Sequence, residues 1–475
     1  MKKNDFIPLN ITGVTNEGHG VGRHEGMAVF VPGSAIGDTL EARVLKVLKN
    51  YSYGKIEKLV SPSPDRITPD CSVFGKCGGC AFRHITYAAE CDIKQKKVED
   101  AFRRIGGFDL TVDSIVPAKD IENWRNKAQY PVGLTDRGEP ITGFYAPHSH
   151  RIVPCCSCAL HPPEFNDILN VAMNYIRQSG ISVYDEASHN GLLRHIYIRK
   201  GNFAAKETFA NEIMVCAVIN GDKIPQPDLF CELILKAHSG VKSIILNINK
   251  ADTNVVLGNK CVTLYGIDTI SDKLCGLNVN ISPLSFYQVN RDMAEVLYGI
   301  AKNLAQPQDK TVLDLYCGTG LIGLSMADKA RQIIGVEVVR DAITDAENNA
   351  RINGIKNARF ICETAGIAAK KLSDEGVSPD IVILDPPRKG CEPGLTEIIS
   401  RQIKPEKIVY ISCDPATLAR DCTLFDGQGY KISRVIPVDM FPRTAHVETV
   451  VLLSRKKPDN YIIAKKTYKN ILKYS

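Results

Sequence analysis

Over the first sixty residues, apolar and polar side chains alternate in short runs. Residues 7–14, 27–31, 38–48 and 53–60 each carry the two-residue period of a half-buried strand. Gly18-His19-Gly20-Val21-Gly22-Arg23, between the first two runs, has no helical period and reads as a loop. Strands this short and curved predict a five-stranded OB-like barrel, a module often used on RNA. Residues 62–69 read as a linker. Val98, Ala101, Phe102 and Ile105 then keep the i, i+3, i+4, i+7 spacing of a helix that Gly106-Gly107 ends. Its other face, with Lys94, Lys96, Lys97, Arg103 and Arg104, reads as solvated. Further on, 196–199, 213–218 and 243–248 read as strands within a mixed region. From about residue 275, strand and helix alternate strictly, which predicts a doubly wound parallel sheet.

The fold class expected is therefore multidomain α/β. An OB-like barrel spans 1–62, a central α+β domain with a cysteine group 63–270, a Rossmann-like sheet 271–456, and a basic tail 457–475. The final segment, 455–475, holds Arg455, Lys456, Lys457, Lys465, Lys466, Lys469 and Lys473 against Asp459, and reads as solvated and partly ordered. A chain of 475 residues exceeds what one core ordinarily serves.

Composition narrows the function classes. Hydrophobic content of 44% and charged content of 24% fit a globular protein. No apolar run approaches bilayer length, and Met1-Lys2-Lys3-Asn4-Asp5 lacks a signal peptide's apolar core. The expected setting is the cytoplasm, with no membrane partner and the chain acting as a monomer. The 16 cysteines are too thinly spread for a disulfide scaffold, so they read as free thiols, metal ligands or nucleophiles. A net charge of +6 permits a nucleic-acid partner without demanding one.

The chemistry sits in the C-terminal half. A buried strand over 311–315 runs into Asp314-Leu315-Tyr316-Cys317-Gly318-Thr319-Gly320, a turn whose glycines let a ligand approach the backbone. The next strand ends at Glu337, where an acid can accept hydrogen bonds from two ribose hydroxyls. Gly318-Thr319-Gly320-Leu321-Ile322-Gly323 also fits a dinucleotide fingerprint, so a nicotinamide dehydrogenase is a competing reading. The following strand argues otherwise. It ends in Asp385-Pro386-Pro387-Arg388, whose prolines fix a carboxylate at the carboxyl edge of the sheet. Asp-Pro-Pro at this place is a methyltransferase feature. Enzymes that methylate exocyclic amines usually follow it with an aromatic residue, and Arg388 argues against that chemistry.

A strand over 407–412 delivers Cys413 to the same edge, in Ser412-Cys413-Asp414-Pro415. A cysteine at a strand-to-helix turn is open to ligand, and the helix N-terminus is expected to favour its thiolate. Carbon 5 of uracil is a poor nucleophile until a thiolate adds at carbon 6, after which a base must remove the carbon 5 proton. If the last strand, begun by His446-Val447-Glu448-Thr449, returns antiparallel, Glu448 lies near Cys413 and becomes the candidate base. Cys71-x5-Cys77-x2-Cys80, interleaved with Gly75, Gly78 and Gly79, supplies three metal ligands. Cys155, Cys156 and Cys158 are candidates for a fourth, and spacing alone does not separate zinc from iron–sulfur.

With these motifs in this order, the chain resembles the RNA (uracil-C5)-methyltransferase family over nearly its whole length. The resemblance also rests on Ser285-Phe286-Tyr287-Gln288-Val289-Asn290, Trp124-Arg125-Asn126-Lys127-Ala128-Gln129-Tyr130 and Leu192-Leu193-Arg194-His195. It implies a class I methyltransferase with an RNA-binding TRAM barrel, using S-adenosylmethionine bound by Gln288, Tyr316, Glu337 and Asp385. It implies Cys413 as nucleophile and Glu448 as base. It implies a [4Fe-4S] cluster on Cys71, Cys77, Cys80 and Cys158, and 23S ribosomal RNA as partner and substrate. Transfer RNA is the alternative, since tRNA enzymes of the family typically lack both the barrel and the cysteine group. A catalytically idle RNA-binding protein is a further one, opposed by Cys413 and Glu448. Asp414 departs from the family pattern, which often has Asn there, and the tail after about 457 lies outside it.

Overall fold

The computed structural model describes residues 1–155, 157–205 and 208–456. Cys156 and the tail lysines from Lys457 onward lie outside the described residues.

Five strands close the N-terminal barrel: β1 (Phe6–Val14), β2 (Gly20–His24), β3 (Met27–Val31), β4 (Thr39–Val47) and β5 (Tyr51–Ser61), in the order β1-β2-β3-β5-β4. The expected loop at 18–23 thus contains a strand. Its glycines erase the apolar alternation, yet packing demands them. A Cβ on Gly20 would meet Ser34 Oγ at 2.0 Å, and one on Gly22 would meet the Asn10 carbonyl at 2.9 Å. Alternate residues Ile7, Leu9, Ile11, Val29, Val31, Leu40, Ala42 and Val44 fill the barrel. Nor is 62–69 a free linker. The buried Asp38 carboxylate accepts from Ser63 N (2.9 Å), Ala35 N (2.6 Å) and Arg66 Nε (2.8 Å), strapping the segment to the barrel. Burial opposes that charge, but Arg66 and the two amides prevail and hold the carboxyl below its ordinary range.

Helix α1 (Tyr87–Arg104) starts earlier than its apolar spacing indicates, because the Thr86 hydroxyl caps it by accepting from Ala89 N. Val98, Ala101 and Phe102 pack with Leu313, Val382 and Tyr410 of the C-terminal sheet, so this helix belongs to that core although its chain position is central. Its basic face is not wholly solvated. Lys94 is buried, and its Nζ donates to Glu90 Oε1 and Asp439 Oδ1, each at 2.7 Å, and to the Phe441 carbonyl at 3.2 Å. Asp439 is far away in sequence, so no local pattern could reveal the pairing.

The central sheet has β6 (Lys127–Leu134), β7 (Pro140–Tyr145), β8 (Ile152–Pro154), β9 (Leu193–Ala205), β10 (Thr208–Ile219), β11 (Val241–Ile248) and β12 (Lys260–Gly266), ordered β12-β11-β10-β9-β6-β7-β8. Helices α2 (Glu164–Ser179) and α3 (Pro227–Ala237) cover one face. The other face shares a core with the hairpin β13 (Ile270–Leu274) and β14 (Leu277–Ile281) and with α4 (Arg291–Ala305).

The C-terminal sheet holds β15 (Thr311–Leu315), β16 (Gln332–Glu337), β17 (Ala358–Cys362), β18 (Ile381–Leu384), β19 (Lys407–Ser412), β20 (Tyr430–Val438) and β21 (Glu448–Arg455), ordered β17-β16-β15-β18-β19-β21-β20. Helices α5 (Leu321–Leu324), α6 (Arg340–Ile352), α7 (Ala365–Asp374), α8 (Leu395–Ile398) and α9 (Pro415–Gly427) connect these strands. Strand order reverses between β15 and β18, which opens a ligand crevice at their carboxyl ends. β21 is antiparallel to both neighbours, and the Ser412↔Thr449 register sets its first residue beside the end of β19. Among the described residues no helix is long and apolar enough to cross a membrane.

Candidate active site

The turn after β15 is built on left-handed backbone: Tyr316 at φ 64°, Gly318 at 52° and Gly320 at 78°. A non-glycine residue held there stores about 1–3 kcal/mol of strain, a cost that clusters at ligand sites. Tyr316 is held by its hydroxyl, which accepts from Glu392 N at 3.2 Å. A Cβ on Gly320 would stand 2.9 Å from Phe360 of β17 and 3.0 Å from Ala346 of α6, so strand and helix pack close behind the turn only because the residue is glycine.

Three carboxylates surround this turn. Glu337 Oε1 accepts from Val338 N (2.9 Å) and Val339 N (3.0 Å), and Oε2 accepts from Gly318 N (3.2 Å). Asp314 Oδ2 accepts from Gly323 N at 2.9 Å, while its Oδ1 is buried with no partner among the described residues. Burial pushes Asp314 up to about 7, with Asp385 and Glu337 adding to it. Burial alone pushes Asp385 up to about 7. Gln288 joins them through its backbone: its carbonyl accepts from Asn126 Nδ2 at 2.9 Å, which ties the central domain to this crevice.

Cys413 stands where β19 gives way to α9. Asp414 is the N-cap, its carboxylate accepting from Thr417 N at 2.9 Å, with Pro415 in the first turn. Asp and Asn cap equally well, so the departure at Asp414 leaves this contact intact. The expected bias toward thiolate is not found. Burial first, then Glu448 and Asp385, push the Cys413 thiol up to about 11, against the opposing pull of Arg388. Burial, reinforced by the two carboxylates, outweighs the end of one helix. Glu448 is buried at the start of β21 and is raised to about 8, by burial first and Asp385 second, with Arg388 opposing. His446 is lowered to about 4 by burial and by Arg388.

Gln288, Tyr316, Glu337, Asp385, Cys413 and Glu448 all line one cavity of about 1720 Å³. A second cavity, a groove of about 1610 Å³, runs from the barrel past α1 and the cysteine group. The two meet at Arg125, Lys127, Arg388, Cys413, Thr444 and His446, which line both. The groove is cationic: eight Lys and Arg line it against three Asp and Glu.

Sequence reasoning gave Arg388, Arg125 and Lys127 no role at the site. It also missed Asp421. Asp421 Oδ2 accepts from Cys391 N (2.9 Å) and the Tyr410 hydroxyl (2.7 Å), which locks the loop after Asp385 to the helix after Cys413. Gly390 at φ 86° makes room, since a Cβ there would meet that oxygen at 2.4 Å. Only the glycine beside Asp-Pro-Pro-Arg-Lys hinted at a close approach.

Cys71, Cys77, Cys80, Cys155 and Cys158 line the groove together. Burial, with smaller contributions from Cys158 and Cys77 and against the opposing pull of Arg83, raises the Cys80 thiol to about 12. Cys155 is engaged locally, donating to the Ser157 carbonyl at 3.0 Å. The group is gathered but not closed. Among the described residues, no three or more His, Cys, Asp or Glu are placed to hold a metal ion.

Comparison with known proteins agrees with this geometry. Residues 270–456 match the profile of the tRNA (Uracil-5-)-methyltransferase family, and residues 3–56 match the TRAM domain. A protein of Clostridium tetani named as an uncharacterized RNA methyltransferase is 40% identical over 455 residues, covering 96% of this chain and 97% of that protein. Another of that name, from Caldanaerobacter subterraneus subsp. tengcongensis, is 42% identical over 457 residues, covering 96% and 99%. Among solved structures, the Pyrococcus abyssi tRNA (uracil-54, C5)-methyltransferase in complex with S-adenosyl-L-homocysteine superposes with a TM-score of 0.72. It is 28% identical and covers 94% of this chain and 100% of that one.

Proposed function

We infer the activity from one premise: this chain belongs to the RNA uracil-5-methyltransferase family and is S-adenosylmethionine-dependent. We propose that it methylates carbon 5 of a uridine in 23S ribosomal RNA through a covalent adduct with Cys413. One observation carries the reading. The cofactor cavity and the cationic groove meet at Cys413, and Glu448 lines the wall beside it.

The residues of the cavity fit the methyl donor. The pinned Glu337 carboxylate, the buried Asp385 carboxyl and the open glycine turn, which all line the cavity, are what a ribose and a cationic group need. When bound, S-adenosylmethionine supplies an electrophilic methyl group. The Cys413 thiol gives its proton to solvent and the thiolate adds to carbon 6, moving the ring electrons onto the carbon 4 oxygen as an enolate. Carbon 5 then takes the methyl group, and the Glu448 carboxylate removes the proton left on carbon 5. The double bond re-forms as the Cys413 thiolate leaves. A carboxyl near 8 is matched to such a transfer at neutral pH. Arg388 faces both groups and favours thiolate and carboxylate.

Support for ribosomal RNA is the barrel and the long cationic groove leading to Cys413. A second reading, transfer RNA, is favoured by the Pyrococcus abyssi enzyme, named for tRNA and aligned over 94% of this chain. With that coverage, the barrel and cysteine segment do not by themselves exclude tRNA. Mapping 5-methyluridine in both RNA pools from a strain lacking the gene decides between them. Loss from 23S RNA alone is expected, loss from tRNA alone selects the second reading, and loss from neither rejects both. The chain is proposed to act as a monomer in the cytoplasm.

The finer proposal for the cysteine group is a [4Fe-4S] cluster on Cys71, Cys77, Cys80 and Cys158. Its support is a donor set of four thiols lining one groove, with Arg83 and Arg125 near Cys80 and Cys158 to offset thiolate charge. It would brace the groove wall, since the methyl chemistry needs no electron transfer.

A further inference from the structure

The barrel carries a feature that its own stability does not use. Its interior is filled by alternate side chains, among them Val29 and Val31 of β3, while Ser52 and Gly54 of β5 are also turned inward. The intervening residues therefore face out, and three of them are aromatic. Phe30 stacks on Tyr51 (centroids 4.9 Å, 26° between planes) and meets Tyr53 edge-on at 5.8 Å. Tyr51 and Tyr53 are 5.7 Å apart. All three rings are half-buried.

Strand register brackets the rings with cations. Val21, Phe30, Tyr53 and Lys46 form one row across β2, β3, β5 and β4, and Arg23, Ala28 and Tyr51 form the adjacent row. Arg23 and Lys46 are exposed at the two ends. Phe30 also lines the groove that ends at Cys413, so the patch continues the RNA path of the proposed function.

We propose that Phe30, Tyr51 and Tyr53 form a stacking platform for unpaired bases of the substrate RNA, with Arg23 and Lys46 taking the flanking phosphates. Aromatic faces beside cations on an OB-like barrel fit single-stranded nucleotides, because every base offers a π-face and the backbone a charge. The platform holds RNA away from the reacting base and accepts any unpaired sequence. The inference rests on the RNA reading above and adds where and how a flanking strand is gripped.

The test uses the full-length protein and a fluorescein-labelled uridine 12-mer carrying one 2-aminopurine. Stacking should quench the 2-aminopurine in the wild type. Phe30→Leu, Tyr51→Leu and Tyr53→Leu should each weaken binding by roughly tenfold, while Tyr51→Phe and Tyr53→Phe stay within about twofold. The Leu variants should keep the salt dependence of binding, whereas Arg23→Gln and Lys46→Gln should each lower its slope by about 0.7. A 5-iodouridine version photocrosslinked to the wild type should map to β3 or β5, which needs no variant to fold. Unquenched 2-aminopurine, crosslinks confined elsewhere, or Leu variants with wild-type affinity would overturn the platform and leave a packing or protein-facing patch. The function reading fails separately, if the wild type neither methylates RNA nor is trapped by 5-fluorouridine RNA.

Discussion

Replacing Glu448 by Gln should abolish turnover and, above neutral pH, make the protein more stable. Gln keeps the shape and removes the charge. Burial raises Glu448 from 4.5 to about 8, so the folded state prefers the protonated carboxyl. The sign follows from linkage: the stability contribution is complete below about pH 4.5 and is lost as pH climbs to about 8. At 1.36 kcal/mol per unit, and allowing for the coupling to Asp385, the loss is roughly 3–5 kcal/mol. Glu448→Gln escapes it. Thermal unfolding at pH 5 should therefore find the two proteins nearly alike, and at pH 8.5 should find the variant several degrees more stable. On a denaturing gel with labelled RNA, the variant should accumulate a methylated covalent complex, because the thiolate adds and the methyl group transfers but the carbon 5 proton stays. Equal stability at pH 8.5 would refute the buried-acid argument. No adduct from Glu448→Gln, beside a wild type trapped by 5-fluorouridine RNA, would keep the nucleophile and move the base to His446 or to a water held by Asp385.

Cys413→Ala should bind RNA and form no adduct, and full turnover would end the covalent mechanism. With the thiol pushed up to about 11, wild-type trapping by 5-fluorouridine RNA should quicken as pH rises from 7 to 10, and Arg388→Ala should slow it most at the lower end; a flat profile would contradict this. Glu337→Ala leaves ribose hydroxyls without a charged acceptor and should cost about 1.5–3 kcal/mol of S-adenosylmethionine affinity by calorimetry, with unchanged affinity or a new preference for NAD counting against the assignment. Anaerobically purified protein should be brown and hold acid-labile sulfide that Cys158→Ser loses and both Cys155→Ser and Cys156→Ser keep; stoichiometric zinc without iron, or loss of metal in Cys156→Ser, would reject this ligand set. Lys94→Ala removes the cation between two buried acids, leaving Asp439 the Tyr87 hydroxyl and Glu90 the Arg443 amide and guanidinium, and should cost about 3–5 kcal/mol in denaturant unfolding, whereas a loss under 1 kcal/mol would mean that these partners and water repair the gap.

Local pattern was enough for what local physics controls. Buried parallel strands are short continuous apolar runs, and β15 and β19 were legible residue for residue as 311–315 and 407–412. The chemistry at their ends was equally plain, because a glycine turn, Asp385 fixed by two prolines and Cys413 before a capped helix are each written in adjacent residues. β2 was hidden because the glycines that let Ser34 and Asn10 approach also remove the side chains that reveal a strand.

Tertiary structure decided the rest, since it alone sets distance between remote residues and the dielectric around them. It buried Lys94 against Asp439, turned an apparent linker into a strap on Asp38, and joined α1 to a core outside its own stretch of chain. It also reversed the electrostatics of the nucleophile. The sequence shows Cys413 at a helix N-terminus, which favours a thiolate. Folding half-buries the thiol and sets Glu448 and Asp385 near it, so lost solvation first and the neighbouring carboxylates second hold it protonated.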